Sequence, residues 1–250
     1  MTRKNKDWWK EFFPVFRPIF NVIPARHTNA EARYIVKKLG LSRGKSFLDC
    51  PCGIGRISIP LAKQGIKITG VDITRSYLDE LSKKAAGLNL KINLIESDMR
   101  RINFDSKFDA AGNLWTSFGY FDKESDNLLV LKRIYRALKP GGKFILHIMN
   151  RDWIVRNFRA NDWFESGRMK VLEQRRMDLA DSAIDSFWYY IKGGVEKVYR
   201  TRIRMYSYHE LLEMMRKTGF TDIKGYGSMK DEPITWDRRM MFIIGSKPRG

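Results

Sequence analysis

The sequence predicts an α/β protein: a doubly wound, mainly parallel seven-stranded sheet with an antiparallel insertion. Three observations carry this. Short β-rich runs alternate with amphipathic helical patterns between residues 46 and 149, as in a parallel sheet covered by helices on both faces. A block of strand-like segments at 170–205 then breaks the alternation. One helix and two further strand patterns resume it up to residue 246. A chain of 250 residues that is 43% hydrophobic can bury such a core.

Taken in order, Trp8, Trp9, Phe12, Phe13, Phe16 and Phe20 recur at three- and four-residue spacing and predict one buried helix face, interrupted by Pro14 and Pro18. Thr28 and Glu31 have the spacing of a capping box, which predicts a helix over 29–38 closed by Gly40. Strands follow at Ser46–Cys50, Lys67–Val71, Lys91–Ile95, Phe108–Asn113 and Lys143–Met149. Helices at Ile57–Gln64, Arg75–Ala86 and Glu124–Leu138 join them, the last ended by the turn Lys139-Pro140-Gly141-Gly142. Beyond Asn150 a short helix over Arg151–Ala160 leads to strands at Lys170–Arg176, Ser186–Lys192 and Val195–Met205, with Gly193-Gly194 as a hairpin turn. Helix Tyr208–Thr218 and strands Thr221–Tyr226 and Met240–Ser246 return the chain to the sheet, the last pair antiparallel. Nothing divides the chain, so a single domain over 1–250 is expected. It comprises an N-terminal helical cap at 1–40, a ligand-binding core at 41–150, an antiparallel insertion or lid at 151–205 and the C-terminal part of the core at 206–250.

No apolar run approaches the roughly 18 residues of a membrane span, and the basic, aromatic N-terminus lacks a signal peptide's apolar stretch. No membrane partner is expected. Cys50 and Cys52 are too few for a structural zinc site and awkwardly spaced for a disulfide, so they read as reduced thiols of a cytoplasmic protein without a bound metal. With 47 Lys and Arg against 28 Asp and Glu, the chain carries +19 charges, a hint of an anionic partner that fixes neither fold nor chemistry.

The segment Phe47-Leu48-Asp49-Cys50-Pro51-Cys52-Gly53-Ile54-Gly55-Arg56 is a strand running into a small-residue turn and a helix. Such a turn lets a ligand lie on bare backbone beside a helix N-terminus. The next strand ends in Asp72, the position from which a carboxylate holds a ribose. Gly53 and Gly55 come close to a dinucleotide fingerprint, but Ser58 takes the third small position, and Asp49 would repel a pyrophosphate while attracting a cationic ligand.

Asp49-x-Pro51-x-Gly53-x-Gly55, Asp72-Ile73, Ser97-Asp98-Met99, Phe108–Asn113 and Leu138–Gly142, in this order and spacing, resemble the motifs of the class I S-adenosylmethionine-dependent methyltransferases. Pro51 stands where the first glycine of that family's loop usually sits, which removes one N–H. The resemblance implies a Rossmann-like fold that binds S-adenosyl-L-methionine and releases S-adenosyl-L-homocysteine. It implies a cofactor site of Asp49, Cys50, Pro51, Gly53, Gly55, Asp72, Ile73, Asp98, Met99, Asn113 and Ser117, with Trp9 closing over it. After Asn113 the chain lacks the Asn/Asp-Pro-Pro-Tyr/Phe tetrad of nucleic-acid base methylases and resembles the small-molecule subgroup, with Trp115, Tyr120, Asn150 and Arg151 as acceptor-binding candidates.

Methyl transfer needs mainly orientation and desolvation. His147, near the end of the fifth strand, either accepts a proton or is satisfied inside the sheet; Tyr120 either bonds the acceptor or packs. Arg200, Arg202 and Arg204 alternate along one strand and either bind an anionic substrate or form a solvated face. The expected activity is methylation of nitrogen or oxygen on a small or medium-sized acceptor, for which the net charge favours an anionic one. Its alternatives are an RNA acceptor, suggested by the net charge, a non-catalytic cofactor-binding module and a nicotinamide-dependent oxidoreductase.

Overall fold

The computed structural model describes residues 7–17, 20 and 23–249. The chain runs α1 (Trp8–Phe16), α2 (Ala25–Leu39), β1 (Ser46–Asp49), α3 (Ser58–Lys63), β2 (Lys67–Asp72), α4 (Arg75–Gly87), β3 (Ile92–Glu96), β4 (Phe108–Asn113), α5 (Glu124–Ala137) and β5 (Leu138–Met149). It continues through α6 (Arg151–Arg156), β6 (Asn161–Ser166), β7 (Met169–Asp178), β8 (Ala183–Lys192), β9 (Val195–Arg204), α7 (Tyr208–Thr218), β10 (Thr221–Tyr226) and β11 (Met240–Ser246).

Seven strands form one sheet in the order β10-β11-β5-β4-β1-β2-β3. β1 to β5 are parallel, β11 runs antiparallel to β5, and β10 antiparallel to β11. The period of two along each strand feeds two cores. Leu48, Phe144, Leu146 and Met241 enter the cluster that contains α5 and α7, while their neighbours Phe47, Ile145 and Phe242 enter the one beneath α2 and α3. Because the parallel strands end on one edge, Asp49 and Asp72 come together there. A separate four-stranded antiparallel sheet, β6-β7-β8-β9, packs its inner face on α1: Trp188 meets Phe12 at 5.3 Å and Phe16 at 5.9 Å between ring centres.

Several elements differ from expectation. α2 begins at Ala25, so Thr28 lies inside it and caps nothing. The would-be capping carboxylate, Glu31, is fully buried and taken by Arg56 (2.6 Å) and His147 (2.8 Å). A capping box with the same spacing is real at Ser207 and Glu210, the start of α7. α1 continues through Pro14 to Phe16, since a proline near a helix end disrupts little; Pro18 lies outside the described residues. β5 starts at Leu138 and absorbs the expected turn, with a register shift opposite β4 that accommodates its glycines. The helix after Asn150 ends at Arg156, and β6, absent from the expected elements, pairs with β7 across Gly167 and Arg168.

Candidate active site

β1 and β2 deliver their terminal carboxylates to a cavity of about 950 Å³, its open mouth included, on the C-terminal edge of the sheet. Asp49 is 2% exposed and accepts a hydrogen bond of 2.6 Å from Ser58 Oγ. Burial pushes its pKa up to about 7 against the opposing pull of Ser58 and Arg56. Ser58, at the third position of the glycine motif, is thus the donor to the buried acid.

Asp72 accepts from the Gly53 N–H through one oxygen and from the Thr74 N–H through the other, both at 2.8 Å. Burial raises its pKa, and the backbone N–H groups of Thr74, Gly53 and Ile73 together with the Thr74 hydroxyl oppose that shift. Gly53 sits at φ +53°, a backbone setting that favours glycine. Asp98 lines the same cavity, but its oxygens are held by the backbone N–H of Arg100 at 2.8 Å and its guanidinium at 2.6 Å. Those bonds hold its carboxyl below the usual range although burial pushes the other way. Arg100 in turn lies 4.0 Å from the centre of the Phe121 ring.

Cys50, Pro51, Gly53, Ile73, Met99 and Ser117 line the cavity with these acids, and so do Trp9, Trp115 and Tyr120. Both cysteine thiols are buried and pushed well above their ordinary pKa by desolvation, so they serve as small packing groups. Much of the remaining wall is aromatic. Phe13, Phe16 and Phe20 join Trp9 on the cavity side with Tyr77 and Phe121, and Ile54, Ile57, Val71, Leu114 and Arg56 also line it. The sequence spacing reads Phe13, Phe16 and Phe20 as part of one buried helix face, with Phe13 a further candidate to close over the ligand; the 9-13-16-20 spacing instead marks a cavity stripe beside the core stripe of Trp8 and Phe12. Burial pushes the Tyr120 phenol up, so at neutral pH it can donate a hydrogen bond but is no base.

Other expected site residues lie elsewhere. Gly55 does not line the cavity; at φ +79° it gives Leu81 of α4 room to pack. Asn113 is fully buried behind the cavity, where its amide donates to the Cys50 carbonyl (3.0 Å) and ties two strand ends together. His147 is not in the cavity either: its ring stacks on Phe242 at 4.1 Å and its Nδ1 meets Glu31, which corrects its expected role as a base. Asn150 caps α6 and donates to the carbonyls of Thr235 and Arg238, and Arg151 pairs with Asp152 and Glu210. Neither faces the cavity.

The arginines of β9 are also committed. Arg200 and Arg202 pair with Asp185, Arg202 also with Asp178 and Asp181, and Arg204 with Glu210. Arg56 is the one cation among the described lining residues, and it is neutralised by Glu31 while lying 5.1 Å from the centre of the Trp115 ring. Glu31 stays ionised well below the usual range because Arg56 and His147 outweigh its desolvation. No described cation of the cavity lining is free to receive an anionic acceptor.

The loop between β4 and α5 borders the cavity and is held at two points. Trp115 and Thr116 both have positive φ (60° and 61°), and Thr116 is held by its N–H on the His147 carbonyl (2.9 Å) and its hydroxyl on the Met149 N–H (3.2 Å). Gly119, at φ +94°, accepts from the Arg204 N–H at 2.8 Å, so the loop carrying Tyr120 is fastened to the end of β9.

The family model described as a methyltransferase domain matches residues 47–142. A protein of Geobacillus sp. (strain WCH70) named as a methyltransferase is 24% identical over 99% of this chain and 100% of its own length. The cypemycin N-terminal methyltransferase of Streptomyces sp. is 36% identical over 103 residues, 41% of each chain. The crystal structure of an S-adenosylmethionine-dependent methyltransferase from Clostridium acetobutylicum superposes with a TM-score of 0.79 at 16% identity, over 96% of this chain and 99% of that one.

Proposed function

We propose that this chain is a class I S-adenosylmethionine-dependent methyltransferase whose acceptor is an amine nitrogen on a neutral or cationic small molecule. The observation that carries the reading is the cavity wall: aromatic rings and carboxylates, with its one described cation already paired and no described histidine. Aromatic faces and carboxylates attract cations and repel anions. Asp72, a carboxylate at the strand end that lines the cavity, suits the ribose hydroxyls, and Asp49 suits the cationic end of the cofactor.

The cofactor supplies an electrophilic methyl carbon on a sulfonium. The chain's part is to bind, orient and dry the site. The stripe of Trp9, Phe13, Phe16 and Phe20 excludes water, and desolvation lowers an amine's proton affinity so that its lone pair is free without a protein base. A hydroxyl acceptor would need a base, and the Tyr120 phenol, protonated at neutral pH, cannot be one. An RNA acceptor draws support from net charge alone, and phosphates would meet carboxylates at this mouth.

The test is a panel of paired amine and hydroxyl acceptors with methyl-labelled cofactor, read by mass spectrometry. Label on nitrogen of the amines is expected. Label confined to hydroxyl oxygen would refute the assignment.

Asp49 makes cofactor binding depend on pH. Without ligand its folded pKa lies above the unfolded 3.8, so the folded state holds the extra proton between pH ~4 and ~7 and stability falls as pH rises through that window. A cation favours the carboxylate. Cofactor affinity is therefore expected to rise as pH passes from 6 to 8, with about half a proton released at pH 7. Calorimetry in buffers of different ionisation enthalpy measures this release, and a buffer-independent heat would contradict it.

A further inference from the structure

The strands are polar end to end. Lys45 precedes β1 and Asp49 ends it; β2 runs from Lys67 to Asp72; Lys91 precedes β3 and Glu96 ends it. Because these strands are parallel and paired Ser46↔Lys67 and Ile68↔Ile92, their lysines share one edge and their carboxylates the other. Lys107 precedes β4 and bonds the chain at Ala137, beside the start of β5. Lys143 of β5 pairs with Ser246, and Lys247 then bonds Gly142. Six consecutive strands in space, β3-β2-β1-β4-β5-β11, thus each place a lysine at the edge remote from the cavity. At ~4.8 Å between strands the row spans ~24 Å.

The helices add a little to it. α2, α3, α4 and α5 each lead into the start of the next strand and carry Lys or Arg in their last turn, but Lys38, Lys84 and Arg136 are paired with Asp231, Glu80 and Asp105, which leaves Lys37 and Lys63 without an ion pair to a described residue. Asp109 is set into the row and is shared by Lys45 and Lys139. Lys67, Lys91, Lys107 and Lys143 form no ion pair with a described residue, and the first three are exposed.

We propose that this edge docks the phosphodiester backbone of single-stranded RNA, a strand length of about 17 Å from the cavity, so that the bound nucleic acid is a tether and not the methyl acceptor. A single file of cations along a twisted edge fits one flexible chain of phosphates. A bilayer instead presents a two-dimensional layer of charge and is gripped by apolar side chains. Of the exposed large apolar residues only Leu88, after α4, lies near this edge.

The experiment is fluorescence anisotropy with a labelled uridine 20-mer, titrated from 50 to 200 mM NaCl. Wild type is expected to bind with a log–log salt slope near −3, as for about four phosphate contacts. Lys67→Glu with Lys91→Glu and Lys107→Glu should make the slope shallower by about 2. Lys→Gln at the same positions should do so without added repulsion, which keeps the test valid if the reversal variant folds poorly. Cofactor affinity should not change in either. The proposal is overturned if reversing exposed Lys83, Lys132 and Lys197 costs as much, if wild type does not bind at 50 mM, or if vesicles containing phosphatidylserine outcompete the RNA at equal charge.

Discussion

Asp72→Ala is expected to weaken S-adenosylmethionine binding by at least about a hundredfold. A hydrogen bond to a charged group contributes about 1.5–3 kcal/mol, so losing two ribose contacts removes about 3 kcal/mol or more. The variant also frees the Gly53 and Thr74 amides that hold the loop in shape. Asp72→Asn separates these effects: it keeps an acceptor for one amide and removes the charge, and a loss of about tenfold is expected. Calorimetric titration of the three proteins reads the series, and equal affinity in wild type and Asp72→Ala would refute the ribose role.

Gly119→Ala is expected to be the costliest small substitution in the acceptor half. An added Cβ would overlap the backbone carbonyl oxygen of Arg204, which cannot swing aside as a side chain could. It would also impose φ +94° on a residue with a side chain. Left-handed strain of about 1–2 kcal/mol and a forced shift of about 1–3 kcal/mol sum to about 4 kcal/mol. For a chain of this size that lowers the melting temperature by roughly 10 °C. Gly194→Ala, at φ +79° with nothing within 4 Å, carries strain alone and should cost about 1–2 kcal/mol. Thermal melts of the two variants compare them directly; equal losses would mean that the contact with Arg204 contributes nothing.

The cofactor half of the site was legible because its signals are local. Asp49, Gly53 and Asp72 lie at strand ends and turns, where the chain's own direction puts a residue at the mouth of the sheet. What eluded the sequence depends on pairing between distant segments. Thr28 and Glu31 have the same spacing as Ser207 and Glu210, yet only the second pair caps a helix, because Arg56 and His147 compete for Glu31. His147 sits at the right edge of the sheet but faces α2, and a strand pattern tells which residues share a face without telling which helix covers it. Arg200, Arg202 and Arg204 do alternate on β9; their partners come from elsewhere in the chain, and no spacing reveals them. β6 has only Trp163 and Phe164 between the poor strand formers Asn161-Asp162 and Glu165-Ser166, so its pattern shows little alternation and it forms through pairing with β7.

The support of α1 has a practical consequence for protein engineering. The helix that roofs the cavity rests on Trp188 and Tyr199 of the antiparallel sheet, while the floor comes from the ends of β1 and β2. The roof is also fastened to the β4–α5 loop, where Trp8 meets Tyr120 at 5.3 Å and Trp9 meets Phe121 at 5.1 Å between ring centres. A graft meant to change the acceptor must therefore carry α1, that loop and β6–β9 as one cassette, because a new α1 laid on the old surfaces would lose the ring contacts that set its height. The glycine loop and its carboxylates can stay in place, so the methyl donor would be retained through such a swap.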